Sequence, residues 1–162
     1  RVNPTLEQVK KEYGDDVRIA FMHNPLSFHN RAMPAAMGAE CANDQGKFWP
    51  MHDRLFENPK ALSDENITGY AKSIGVDMGK WTECYKSGKH KAKIQKQQST
   101  AVSLGARGTP AFFINGRFLS GAQPFPSFKT LIDEELAKAK KSGIKKADYY
   151  KKAVIEKGSK KI

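Results

Sequence analysis

The stretch Ala111-Phe112-Phe113-Ile114-Asn115-Gly116-Arg117-Phe118-Leu119-Ser120 constrains the fold more than any other. Two short aromatic and aliphatic runs flank Asn-Gly, the dipeptide best suited to the two positive φ angles of a type I′ turn. The spacing predicts a β-hairpin. Pro110 stands directly before it and has no N–H to give to a ladder, so it takes the first position of a strand or an edge. Thr109 is thereby pushed toward an extended conformation. From local physics alone Gly108-Thr109-Pro110 reads as a loop ending in a strand, and most X–Pro bonds in folded proteins are trans.

At 162 residues the chain is long enough for one core and short for two independent domains. A hydrophobic content of 39% and a charged content of 28% are ordinary for a soluble globular protein. No run approaches the ~20 apolar residues that cross a bilayer, so no membrane span is expected. The chain opens on Arg1 without a methionine or a signal-peptide pattern, and targeting information, if any, lies outside it. The net charge of +11 is a property of the tail: Lys138 to Ile162 carries ten lysines against Asp148 and Glu156. Lysine without arginine or interleaved aromatics suits a solvated helical face better than a phosphate reader, so nucleic acid is not the expected partner. An anionic partner for the tail is the weaker alternative. Cys41 and Cys84 are too far apart for C-x-x-C or a zinc knuckle, and His23, His29, His52 and His90 show no ligand spacing. No metal and no cofactor are expected.

Along the chain, Leu6, Val9 and Tyr13 share one face of a helix that Gly14 should end in the left-handed conformation. Asn3 and Pro4 serve as its cap and first residue, or Pro4 kinks a longer helix. Val17 to His23 reads as a central strand covered on both faces. Residues 31 to 104 read as helix upon helix, with Ser63 and Asp77 as N-caps and Gly75 and Gly105 as terminators. In this block Phe48, Trp49, Met51 and Trp81 stand at helical spacings and are assigned to core rather than to a substrate groove. After the hairpin, Phe128, Leu131, Ile132 and Leu136 form the apolar stripe of a helix with acids early and lysines late, and a short accessory helix follows Gly143. The order predicts an α/β fold with a helical insertion, and its skeleton is a thioredoxin-type sheet that lacks its first strand.

With this order in place, "RVNPTLEQVKKEYGDDVRI", "NPLSFHNRA", "QGKFWPMHDRLF" and "GTPAFFINGRFLSGAQP" together resemble the DsbA-like thiol:disulfide oxidoreductases, thioredoxin-fold enzymes with an inserted helical domain. The resemblance covers residues 1 to about 137. It implies a thioredoxin-like core from 1–30 and 105–137, a helical insertion over 31–104, and leaves 138–162 as a lysine-rich extension. It implies that Thr109-Pro110 is the cis-proline loop, with Gly108, Thr109 and Pro110 holding an extended substrate peptide by main-chain hydrogen bonds. His23, Pro25 and His29 match the family pattern "HxPLxFHxxA", and His29 is given no catalytic role.

The resemblance also implies a C-x-x-C pair at the start of the first helix, just upstream of Arg1, and this chain has none. No catalytic residue is therefore expected in the chain itself, since the thiolate of that pair makes the mixed disulfide. Truncation of a complete enzyme is the favoured reading, and natural loss of the pair with retention of a non-catalytic peptide-binding module is the alternative. In the intact enzyme the implied activity is thiol exchange on cysteines of protein or peptide substrates, with a redox partner protein, in the periplasm or another extracytoplasmic compartment. Such a compartment and the even cysteine count favour a structural disulfide between Cys41 and Cys84 over two buried thiols. Closing that loop contributes roughly 4 kcal/mol in the chain-entropy model.

Overall fold

A computed structural model describes residues 1–158. The last four residues of the lysine-rich extension, Ser159 to Ile162, lie outside the described residues. The described chain forms two compact units, one of residues 1–21 with 102–158, the other of Met22–Ala101.

The first unit contains α1 (Asn3–Tyr13), the hairpin strands β1 (Ala111–Ile114) and β2 (Arg117–Ser120), α7 (Phe125–Lys141) and the short α8 (Lys146–Tyr149), which runs into a π-helical turn over Tyr150–Ile155. β1 and β2 pair antiparallel with Phe112 opposite Leu119 and Phe113 opposite Phe118. Asn115 and Gly116 both have positive φ, 48° and 90°, as a two-residue primed turn requires. Because side chains alternate along a strand, Phe112, Ile114 and Leu119 pack against the core of Val9, Phe128 and Ile132. Phe113 and Phe118 point the other way and stay exposed, with ring centroids 5.2 Å apart. The Phe112 ring meets Phe128 edge-on at 4.9 Å, the arrangement that the aromatic quadrupole favours. α1 lies against α7 through Leu6, Val9 and Tyr13.

Three local expectations are corrected. Val17 to His23 is not a strand: among the described residues the sheet has two strands, and 17–26 carries no regular secondary structure. The alternating apolar residues are there, with Val17 and Ile19 half-buried and Arg18 and Ala20 exposed. A strand, however, is defined by a ladder with a neighbour, and no described strand pairs with it. Asn3 does not cap α1 but sits inside its first turn, with Pro4 next, where the missing N–H is one the helix leaves unbonded anyway. Gly14 has positive φ, but with ψ at −125° it lies outside the left-handed helical region and leads into a 3-10 turn over Gly14–Asp16. The lysine-rich segment after α7 returns to this unit through Lys146, 2.6 Å from Asp16, and through Tyr150, whose ring lies 4.9 Å from the Arg18 guanidinium.

The second unit is helical: α2 (Ala32–Asn43), α3 (Phe48–Glu57), α4 (Asp64–Ser73), α5 (Met78–Ser87) and most of α6 (Lys91–Ser103). The Ser63 hydroxyl accepts from the Asn66 N–H at 3.2 Å, and the Asp77 carboxylate from the Lys80 N–H at 3.0 Å, so both helices start on capped amides. α2 is the hub, packing on α3, α4 and α5. Its buried residues are Ala36, Gly38, Ala39, Glu40, Cys41 and Ala42, and all but Glu40 are small residues that let three helices approach at once. Met51, Ile67 and Trp81 fill the space against it, and the Trp81 indole N–H donates to the Gly38 carbonyl at 3.1 Å. Trp49, by contrast, is exposed, so one of the four residues assigned to core faces outward.

Gly38 has no room for a side chain. A Cβ there would lie 2.8 Å from Ile67 Cγ2 and 3.4 Å from Met51 Cε, and a β-branched methyl cannot swing aside. Gly38→Ala should therefore lower stability by about 1–3 kcal/mol despite the better helix propensity of alanine, read as a lower urea midpoint with unchanged slope. An unchanged or raised midpoint would show that α2 does not pack this tightly.

Candidate functional site

The loop ahead of the hairpin holds the three residues expected to meet substrate. Gly108 and Thr109 are exposed and Pro110 is half-buried. The Thr109–Pro110 peptide bond is cis. The Pro110 carbonyl is engaged, accepting from the Gly121 N–H at 2.9 Å, which ties the end of the loop to the residue after β2. The N–H and C=O groups of Gly108 and Thr109, in contrast, make no hydrogen bond to any described residue. Exposed main-chain groups beside a strand can be satisfied by an added extended segment. A Cβ on Gly108 would meet nothing within 4 Å, so the space in front of this residue is open.

Cys41 on α2 and Cys84 on α5 are joined by a disulfide, with their Cα atoms 5.8 Å apart. The described chain has no free cysteine. Beside the disulfide lies a cavity of about 320 Å³ lined by both cysteines, Asp44 and Lys89 among others. Asp44 accepts from Lys89 at 2.8 Å and pairs with His90 Nε2 at 2.9 Å. Partial burial pushes the Asp44 carboxyl up, but these two contacts outweigh it and hold the group below the ordinary carboxylate range.

Sequence reasoning missed a third constellation. His23 and Glu40 are only 5% and 4% exposed, and His23 Nε2 lies 3.1 Å from Glu40 Oε1. An ionised carboxylate only accepts, so Nε2 carries the proton in this pair. Lys93 reaches Glu40 Oε2 at 2.6 Å, and Asn43 donates to the same oxygen at 3.2 Å. Gln97 accepts from the His23 N–H at 2.9 Å, and Gln98 donates to the Pro25 carbonyl. The "HxPLxFHxxA" segment is thus anchored at His23 and Pro25 by α2 and α6, while Phe28 and His29 remain exposed. Burial pushes the His23 imidazole down, with Glu40 pulling only partly against it. Burial pushes the Glu40 carboxyl up, but the Lys93 and Asn43 hydrogen bonds hold it below its ordinary value.

These shifts fix a pH dependence. Below about pH 6.5 the unfolded chain takes up a proton at His23 that the folded chain refuses, and below about pH 4.3 it does so again at Glu40. Both contributions are complete at neutral pH and are lost as pH falls. The urea midpoint should fall between pH 7.5 and 5.5, and His23→Asn should flatten that interval while keeping the steeper loss below pH ~4.3. A parent profile flat from pH 7.5 to 5.5 would contradict a desolvated neutral His23.

Comparison with known proteins bears on the whole arrangement. The Na(+)/H(+) antiporter NhaA of Herminiimonas arsenicoxydans is 34% identical over 116 residues, which is 72% of this chain and 18% of that protein. Antiporters of the same name from Salinispora arenicola and Salinispora tropica are each 28% identical, over 85% and 86% of this chain and 21% and 22% of their own length. The chain spans about a fifth of the length of these curated relatives. Among the described residues no helix is long and apolar enough to cross a membrane. The model of the DSBA-like thioredoxin domain matches residues 2–133, which takes in α1, the whole helical unit, the Gly108–Pro110 loop, the hairpin and most of α7. The chain belongs to the DSBA-like thioredoxin domain family.

Proposed function

We propose that this chain forms the substrate-holding part of an extracytoplasmic thiol-disulfide oxidoreductase of DsbA type that acts on cysteines of protein substrates. The observation that carries the reading is the exposed Gly108-Thr109-Pro110 loop with its unbonded main-chain groups beside a strand. In this reading the exchanging C-x-x-C pair belongs ahead of Arg1, since Cys41 and Cys84 stand 43 residues apart and form no C-x-x-C. Exchange proceeds when a thiolate attacks a disulfide sulfur, forming a mixed disulfide and releasing the other sulfur as thiolate. A second thiolate then resolves it, so two electrons move between substrate and enzyme pair, and a redox partner protein returns them. During the mixed disulfide the substrate lies extended, its main chain paired with residues 108 and 109. A disulfide between insertion helices supports an oxidising compartment. The same bonded pair also favours the second reading, a non-catalytic module that holds peptides at this loop without exchanging electrons.

Gly108→Val tests the loop. Its Cβ meets only open space and its φ is not positive, so folding stability should change by no more than about 0.5 kcal/mol, while the side chain fills the approach a peptide needs. Binding of an extended cysteine-blocked peptide, followed by fluorescence anisotropy, should weaken by roughly 10-fold, which corresponds to the loss of one or two main-chain hydrogen bonds. Equal affinity of parent and variant would remove the loop from substrate recognition. In a dithiol-driven insulin reduction assay the 162-residue chain alone should show no acceleration, and the encoded protein with the residues ahead of Arg1 should accelerate it. Peptide binding without acceleration in that longer protein would leave the module reading in place of the enzyme.

A further inference from the structure

Cys41, Cys84 and His90 offer ligand atoms that all lie within 4.8 Å of one another. Asp44 adds a fourth donor, one carboxylate oxygen lying 2.9 Å from His90 Nε2 and 3.7 Å from Cys84 Sγ. We propose that, once the Cys41–Cys84 bond is reduced, Cys41, Cys84, His90 and Asp44 form a binding site for a thiophilic divalent cation, with zinc the natural fit. Two thiolates, an imidazole and a carboxylate are a donor set suited to tetrahedral zinc, whose bonds run about 2.3 Å to sulfur and 2.0–2.2 Å to nitrogen and oxygen.

The placement favours assembly without rebuilding the unit. Cys41 near the end of α2 and Asp44, the residue that caps it with backbone angles still helical, stand three apart and so share one face. Cys84 comes from the end of α5, and His90 from the turn that follows Gly88. His90 already points Nε2 into the cluster, with its side chain only 13% exposed. The cavity of about 320 Å³ is lined by both cysteines and Asp44, and is the side from which a reductant and an ion would approach. Charge closes as well: two thiolates and Asp44 supply three negative charges against a divalent cation and Lys89. Lys89 lies 2.8 Å from Asp44 on a half-exposed stem and can move back as the ion arrives.

The chemistry is a linked pair of steps. A dithiol donates two electrons and two protons, leaves as its own disulfide, and converts the protein disulfide to two thiols. The cation then displaces both thiol protons and takes the place of the proton on His90 Nε2, the neutral imidazole now carrying its proton on Nδ1. It is held by the two thiolates, His90 Nε2 and the Asp44 carboxylate. In the reverse direction a small-molecule disulfide takes the two electrons and, with two protons from water, leaves as a dithiol; the Cys41–Cys84 bond re-forms, two ligands are lost and the ion is released.

The test uses cobalt(II) alone as the probe. The chain is reduced with a dithiol, freed of it without oxygen, and titrated beside the oxidised chain. The reduced chain should take one cobalt with a thiolate-to-cobalt charge-transfer band and the intense visible bands of tetrahedral cobalt, both abolished by added zinc; the oxidised chain should show neither. His90→Ala and Asp44→Asn, each first shown to be folded in the disulfide form, should bind at least about 10-fold more weakly when reduced. Folding of the reduced chain is followed by far-ultraviolet circular dichroism. A reduced chain that unfolds alone and refolds with cobalt also supports the site. Three results overturn it: no thiolate band, ligand variants that bind as tightly as the parent, or a reduced chain unfolded with and without cobalt.

Discussion

The contact between Phe112 and Phe128 decides where the candidate peptide edge stands. A two-stranded hairpin has little stability of its own in water. This one is held because one face, Phe112, Ile114 and Leu119, buries itself on α7 and α1. The Asn115-Gly116 turn fixes the register, and the register fixes which face is buried, since a slip of one residue would turn Phe113 and Phe118 inward instead. The bond from the Gly121 N–H to the Pro110 carbonyl then carries that order one residue beyond the ladder. Gly108 and Thr109 lie just past this last tie, exposed but attached to an ordered strand. A site needs both properties, because main-chain groups that recognise a peptide must be unbonded and yet held in place.

The helical unit is organised by a different constraint, the smallness of α2. Gly38, Ala39, Cys41 and Ala42 bring α3, α4 and α5 close enough for Trp81 to hydrogen-bond to the α2 backbone. The same closeness sets Cys41 opposite Cys84 and leaves His90 and Asp44 beside them. On the side of α2 toward α6, Glu40 is buried with His23, Asn43 and Lys93 around it. A buried carboxylate is costly unless its oxygens are satisfied, and both oxygens of Glu40 have partners.

What was legible in the sequence is what local chemistry determines. Asn115-Gly116 announces a primed turn, Ser63 and Asp77 announce helix starts, and four separated motifs in one order announce the family. The strand expected at Val17–His23 was not legible, because alternation shows which side chains face inward but says nothing about a ladder partner. Nor were the two polar clusters. His23 and Glu40 are 17 residues apart and Lys93 a further 53 from Glu40, so no spacing rule joins them. Cys41, Asp44, Cys84 and His90 likewise fit no ligand pattern read along the chain, since packing of α2 against α5 brings them together. Trp49 and Met51 show the same limit within one helix, as both fit helical spacing and only Met51 is buried.

The central claim is that Gly108 and Thr109 present unbonded main-chain groups that an extended substrate pairs with. Hydrogen–deuterium exchange of this segment, followed with and without a saturating cysteine-blocked peptide, tests it most directly. Amides of Gly108 and Thr109 should exchange nearly as fast as in an unstructured chain when the protein is free, while those of Phe112 and Ile114, which face β2, are protected, and they should slow by at least about 10-fold with peptide bound. Protection of Gly108 and Thr109 in the free protein, or unchanged exchange there while the peptide binds, would contradict the account.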